Sequence, residues 1–110
     1  MNVLLLSASP HKEKSSTFLL AKEALRGLKE EGATSETLHL DDFEVFFCKH
    51  CEACHKRILR CSIKDGVQTL LEKMLNADGI LFASPNYINQ VTGSMKTLFD
   101  RSAHFIHCKR

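Results

Sequence analysis

Four cysteines, Cys48, Cys51, Cys54 and Cys61, stand close together in the spacing Cys-x2-Cys-x2-Cys-x6-Cys. Thiolates are soft ligands, and four of them satisfy either an iron-sulfur cubane or a tetrahedral zinc. Zinc usually takes two separated Cys-x2-Cys knuckles, whereas three cysteines at successive two-residue gaps let one loop reach three corners of a cubane. The spacing therefore favours a cluster, with zinc and redox-active thiols as the alternatives. His50 and His55 alternate with the cysteines and read as solvent-facing groups rather than ligands. Cys108, outside the group, reads as a partly buried bystander.

Two polar segments could bind a small anionic ligand. Ser7 to Thr17 joins an apolar run to a helical pattern and is crowded with hydroxyls and lysines: Ser9, Ser15, Ser16, Thr17, Lys12 and Lys14, with His11 among them. Unpaired N–H groups at a helix start, hydroxyl donors and nearby positive charge suit a phosphate. The plainer alternative is a loop whose serines only cap the helix. The segment lacks both the Gly-x-Gly-x-x-Gly of dinucleotide sites and the Gly-Lys-Ser/Thr of triphosphate sites, which leaves a mononucleotide open. Ser84 to Gln90 offers a ring and several amides, suited to stacking on and hydrogen bonding a flat heteroaromatic, with an ordinary turn as the alternative.

The elements that must position these segments alternate. Asn2 to Leu6 is a continuous apolar run, as in a buried strand, and it breaks into Ser7-Ala8-Ser9-Pro10. From Thr17 the positions Leu20, Ala21, Ala24, Leu25 and Leu28 recur at helical spacing, with Ser15, Ser16 or Thr17 as cap and Gly32 as stop. Thr37 to Leu40 alternates like a strand near a sheet edge. After the cysteines, Asp65 with Gln68 resembles a capping box, and Val67, Leu70, Leu71, Met74 and Leu75 make one apolar face. Ile80 to Ala83 has the fully apolar composition of a central parallel strand. Thr92 or Ser94 can cap a third helix with Met95, Leu98 and Phe99 inward, leading to Phe105 and Ile106. Alternation of this kind predicts an α/β fold with right-handed crossovers and helices on both faces of a parallel sheet. Ligands of such sheets sit beyond the carboxyl ends of the strands, which brings the loops after Leu6 and after Ala83 together.

The bulk numbers set limits. A chain of 110 residues, 44% hydrophobic and 25% charged, is one ordinary globular domain with a packed core. A net charge of +2 is too small to mark a nucleic-acid or membrane partner, so a small-molecule site is expected. The run Val3 to Leu6 is too short for a signal core and has no basic residue before it, which predicts a cytoplasmic protein. Five cysteines in a reducing compartment argue for metal, cluster or thiol chemistry rather than disulfides.

Taken together, the segments resemble the NADPH-dependent FMN reductase and iron-sulfur flavoprotein families. Ser9 and Pro10 match the families' Ser-Pro-Arg phosphate loop, with His11 in the Arg position, Ser16 in the place of the usual Asn, and Thr17 on the Thr. Ser84-Pro85-Asn86-Tyr87 through Lys96 to Asp100-Arg101 resembles their Ser-Pro-x-Tyr...Lys...Asp-Arg signature. The resemblance implies a flavodoxin-like three-layer sandwich over residues 1–110, lacking the last strands of the usual five, with the cysteine-rich loop at 48–61. Without those strands Ile80 to Ala83 becomes an edge with exposed apolar surface.

The same resemblance implies FMN held by Ser9, His11, Ser15, Ser16 and Thr17 at its phosphate and by Pro85, Asn86, Tyr87, Ile88 and Asn89 at its ring. It implies a four-iron, four-sulfur cluster on Cys48, Cys51, Cys54 and Cys61 that exchanges electrons with the flavin. Lys96, Asp100 and Arg101 read as helix-surface charge and subunit contact, and no side chain is assigned as catalytic. The expected function is a flavin-dependent oxidoreductase with a small-molecule or protein electron donor and acceptor, working as a homo-oligomer. The alternatives are a cluster-free NAD(P)H-dependent FMN or quinone reductase, and a non-enzymatic electron carrier or redox sensor.

Overall fold

The structure is a computed structural model that describes residues 1–49 and 63–102. Cys51, Cys54, Cys61, Cys108, His50, His55, Phe105 and Ile106 lie outside the described residues. Three strands, β1 (Asn2–Ser7), β2 (Thr34–His39) and β3 (Gly79–Ala83), form one parallel sheet in the order β2-β1-β3. Helix α1 (Ser16–Glu30) joins β1 to β2, helix α2 (Val67–Asn76) precedes β3, and helix α3 (Gly93–Arg101) follows it.

The central place of β1 explains its composition. Strands buried on both faces read as continuous apolar runs. Leu4 and Leu6 point to one face, where they pack with Val67, Leu70 and Leu71 of α2, Met95 and Leu98 of α3, and Leu40. Leu5 points to the other, against Phe18 and Ala21 of α1 and Ala83. Leu5, Leu6, Leu70, Leu71, Met95 and Leu98 are all fully buried, and each such side chain contributes about 1.5–3 kcal/mol through the area it removes from water. Helices therefore cover both faces, as the alternating pattern predicts.

Four expectations are adjusted. The second strand begins at Thr34, and Leu40 falls in the 3-10 turn Leu40–Asp42, where it is buried. An edge strand tolerates the polar Thr34, Ser35 and Glu36 because one side of its backbone meets water. The buried stripe of α1 is Phe18 and Ala21, with Leu25 packed alongside, whereas Leu20 is 75% exposed. Leu75 of α2 likewise turns outward. Finally, within the described sheet Ile80 to Ala83 is the edge expected where further strands are missing, although its composition suits a central strand, and β1 is the centre; Phe82 there is 42% exposed, though its ring meets that of Phe99 edge-on at 5.2 Å.

The helix ends follow local chemistry. Ser15 Oγ accepts the Phe18 N–H at 2.9 Å, which caps α1. The chain leaves α1 through Gly32 at a φ of +90°, a left-handed conformation that glycine adopts without strain. Thr92 Oγ1 accepts the Met95 N–H at 3.3 Å and caps α3. No helix among the described residues is long and apolar enough to cross a membrane.

Candidate functional site

The sheet order reverses at β1: the chain runs from β1 to β2 on one side and reaches β3 on the other, with α1 and α2 on opposite faces. Such a switch point opens a crevice beyond the carboxyl ends of the two diverging strands. Here those ends lead into the hydroxyl-rich loop after β1 and the ring loop after β3. A backbone bond from the Ala8 N–H to the Ala83 carbonyl, 2.8 Å long, ties the two loops at their roots.

The first loop folds back tightly. Lys12 N–H donates to the Ser9 carbonyl, and the Lys14 and Ser15 N–H groups donate to the His11 and Lys12 carbonyls, each at 3.1 Å. Lys12 sits at a φ of 52° to make this turn. Ser9 is buried, and its Oγ accepts the His11 N–H at 3.2 Å. Ser15 spends its hydroxyl on the helix cap, while Ser16 stands exposed and Thr17 half-buried in the first turn of α1. First-turn amides have no helical carbonyl to bond, and this turn contains no acidic residue. The residues present therefore fit a phosphate at this helix start.

Charge around the loop is more balanced than its lysines suggest. Lys12 forms an ion pair with Asp42, whose hydrogen bond and charge raise the lysine pKa above its ordinary value. His39, at the end of β2, lies with Nε2 3.7 Å from the Glu13 carboxylate and its ring 4.9 Å from that of Phe18. Beneath the loop, Ser7 Oγ and His39 Nδ1 are buried without a hydrogen-bond partner among the described residues. Ser7 and His39 are register partners in the sheet, so both sit at the carboxyl ends where the crevice opens. Neither was marked by sequence spacing, because only strand pairing brings them to one level.

The second loop is a tight reversal. Tyr87 and Gln90 exchange backbone hydrogen bonds of 2.8 and 3.1 Å, with Ile88 at a φ of 50° and Asn89 at 62°. Two consecutive left-handed residues make a type I′ turn. Asn tolerates this conformation; a β-branched residue does not, and Ile88 is also 96% exposed. An apolar side chain held at a strained, exposed tip is a feature found at ligand contacts. Ser84 Oγ accepts the Thr92 N–H at 3.0 Å and closes the loop onto the start of α3.

Two concavities border these loops. A cleft of about 330 Å³ is lined by Ser84, Pro85, Asn86, Asn89, Gln90 and Val91. A larger apolar cleft of about 560 Å³ runs down the seam between α1 and β3, from Thr17 and Ser84 past Leu20, Leu81 and Phe82. The smaller one holds the ring-loop residues; the larger follows a flank of β3 that no other described element covers, and it reaches the site only at its upper end. Of the cysteines, Cys48 lies on an irregular, exposed stretch after Phe43, and the other three predicted ligands lie outside the described residues. As a donor set, four thiolates fit a cluster or zinc.

Arg101 departs from the surface role expected of it. Its side chain is fully buried against Asp65, with Nη1 2.5 Å from one carboxylate oxygen and Nη2 3.0 Å from the other. Burial pushes the Asp65 carboxyl up, but Arg101 and the Phe46 and Val67 N–H groups outweigh this and hold its pKa below the ordinary value. The capping box is replaced accordingly: Gln68 bonds Glu72 at 3.1 Å, and Asp65 serves Arg101. Lys96 and Asp100 do form the expected exposed pair one helical turn apart.

Residues 1–108 match the model of the family described as NADPH-dependent FMN reductase. The chain belongs to the NADPH-dependent FMN reductase family. An iron-sulfur flavoprotein of Archaeoglobus fulgidus is 40% identical over 102 residues, covering 93% of this chain and 49% of that protein. One from Methanocaldococcus jannaschii is 42% identical over 102 residues, covering 93% of this chain and 52% of its own length. The chain thus spans about half the length of these curated relatives. Among solved structures, a flavone reductase superposes with a TM-score of 0.72 at 31% identity over 92% of this chain and 29% of its own. The flavodoxin-like arrangement predicted from the sequence is the one this reductase family shares.

Proposed function

We propose that this chain carries the FMN phosphate and ring loops, and the cluster-binding segment, of a flavin-dependent oxidoreductase. The observation that carries the reading is the meeting of the two loops at the switch point, bonded to each other through Ala8 and Ala83. Ser9, His11, Ser16 and Thr17 would receive the phosphate, aided by the start of α1, with Ser15 holding that start in shape through its cap. Pro85, Asn86, Tyr87, Ile88 and Asn89 would flank the ring. The names of the relatives, iron-sulfur flavoproteins, support a cluster on Cys48, Cys51, Cys54 and Cys61.

FMN, when bound, supplies the redox chemistry, so the protein needs no side-chain acid or base. The protein's part is to hold the phosphate against the first turn of α1 and to press the ring loop on the flavin. Its electron donor and acceptor would be small molecules or proteins, and a homo-oligomer would cover the exposed side of β3.

Comparison of FMN with riboflavin tests the phosphate loop. Titrations followed by flavin fluorescence should show FMN binding at least about tenfold tighter, as expected when charge-assisted bonds to a dianion are lost. Equal affinities, or no binding of either, would count against the assignment of Ser9, Ser16 and Thr17.

A further inference from the structure

The phosphate loop is tied to the end of β2 by two contacts of opposite polarity. Within its 3-10 turn, Lys12–Lys14, Lys12 pairs with Asp42, and Glu13 faces His39 Nε2 at 3.7 Å, an ion pair when the imidazole is protonated. The β2 side of this clamp is firmly held, because Leu40, which lies between His39 and Asp42 in sequence, is buried in the core with Leu6 and Leu71. The loop side is strained. Lys12 keeps a φ of 52°, a conformation that a non-glycine residue holds only where its surroundings fix it.

The chemistry of position 39 does not serve packing alone. Its ring is buried and lies 4.9 Å from the ring of Phe18, in the first turn of α1. An apolar side chain could pack on Phe18 without burying a polar Nδ1 that has no hydrogen-bond partner among the described residues. Ser7 repeats the pattern: it is the register partner of His39, shares the α1 face of β1 with Leu5, and its Oγ is likewise buried without a partner among those residues. Two polar side chains kept side by side against their cost of burial, where the phosphate loop begins, call for a role other than stability.

We propose that His39 is a positioning residue for the phosphate loop. Through Glu13 and Phe18 it sets the 3-10 turn against the first turn of α1, with Lys12–Asp42 as the second tie. Ser9, Ser16 and the start of α1 then hold one shape before a phosphate monoester arrives. A loop set in advance has less freedom to lose on binding, and this favours the phosphate end of the ligand alone. The role rests on the reading of this loop as the FMN phosphate site.

The test uses the full chain and the variants H39F, H39Q and E13A. Phenylalanine keeps a ring on Phe18 and removes both nitrogens, glutamine returns a donor near the Nε2 position, and E13A removes the exposed carboxylate that His39 faces. Each is measured for urea midpoint and for FMN and riboflavin affinity by flavin fluorescence. Hydrogen exchange of the Lys14 and Ser15 amides, which bond the His11 and Lys12 carbonyls within the turn, is followed without flavin. H39F should keep a native-like urea midpoint, exchange these two amides faster, and lose about tenfold in FMN affinity with riboflavin affinity unchanged. E13A should follow it, and H39Q should lie near the native protein. Unchanged FMN affinity in folded H39F, or an equal loss for both flavins, overturns the proposal; E13A decides in the same way should H39F not fold. If the native protein binds neither flavin, the phosphate reading itself fails, and unchanged exchange of the two amides in H39F would then remove the brace as well.

Discussion

At the scale of single residues, the strained tip of the ring loop separates stability from binding. Ile88 occupies a left-handed conformation in full solvent exposure, which costs a non-glycine residue about 1–2 kcal/mol. Replacing Ile88 by Asn, which tolerates that conformation, should raise unfolding free energy by about 1 kcal/mol while weakening FMN binding, both measurable on one urea and fluorescence series. A gain in stability with unchanged flavin affinity would mean that the Ile88 side chain does not touch the ring. The two loops of the candidate site were legible at this scale, because Ser15, Thr17 and Tyr87 announce themselves by type and local spacing. The buried Asp65–Arg101 pair was not: its members lie 36 positions apart, and local spacing reads Asp65 as a capping-box residue and Arg101 as helix-surface charge.

At the scale of elements, the sheet and its caps followed from local pattern, and the departures arose where tertiary position overrode it. Leu20 fits the apolar stripe of α1 by spacing, yet it is 75% exposed and borders the apolar cleft between α1 and β3 rather than packing in the core. Leu5 faces α1 from the central strand, and Leu5→Ala should cost about 2–5 kcal/mol in urea unfolding. The buried Asp65–Arg101 pair at the end of α3 gives the fold an acid limb. A carboxyl whose folded pKa is depressed contributes stability that is complete above its unfolded pKa and is lost as pH falls through the lower folded value. The urea midpoint should therefore drop as pH falls below the ordinary aspartate value of 3.8. Asp65→Asn should be destabilised throughout and should lack its share of that drop; an identical acid limb in both proteins would assign it to other carboxylates.

At the scale of the whole molecule, β3 presents an apolar edge with Phe82 partly exposed and a cleft beside it, a surface that favours pairing with another chain. Sedimentation should show self-association that Phe82→Lys weakens, whereas a monomer at all concentrations would remove the homo-oligomer from the account. On the proposed reading, one chain carries both an FMN site and a cysteine-held cluster. The most direct test of that reading is protein purified without oxygen, with flavin, iron and sulfide counted on the same sample alongside Cys51→Ala. Flavin and cluster absorption should appear together in the native protein, with iron and sulfide lost and flavin retained in the variant. A colourless native protein, or one containing zinc and no flavin, would contradict that reading.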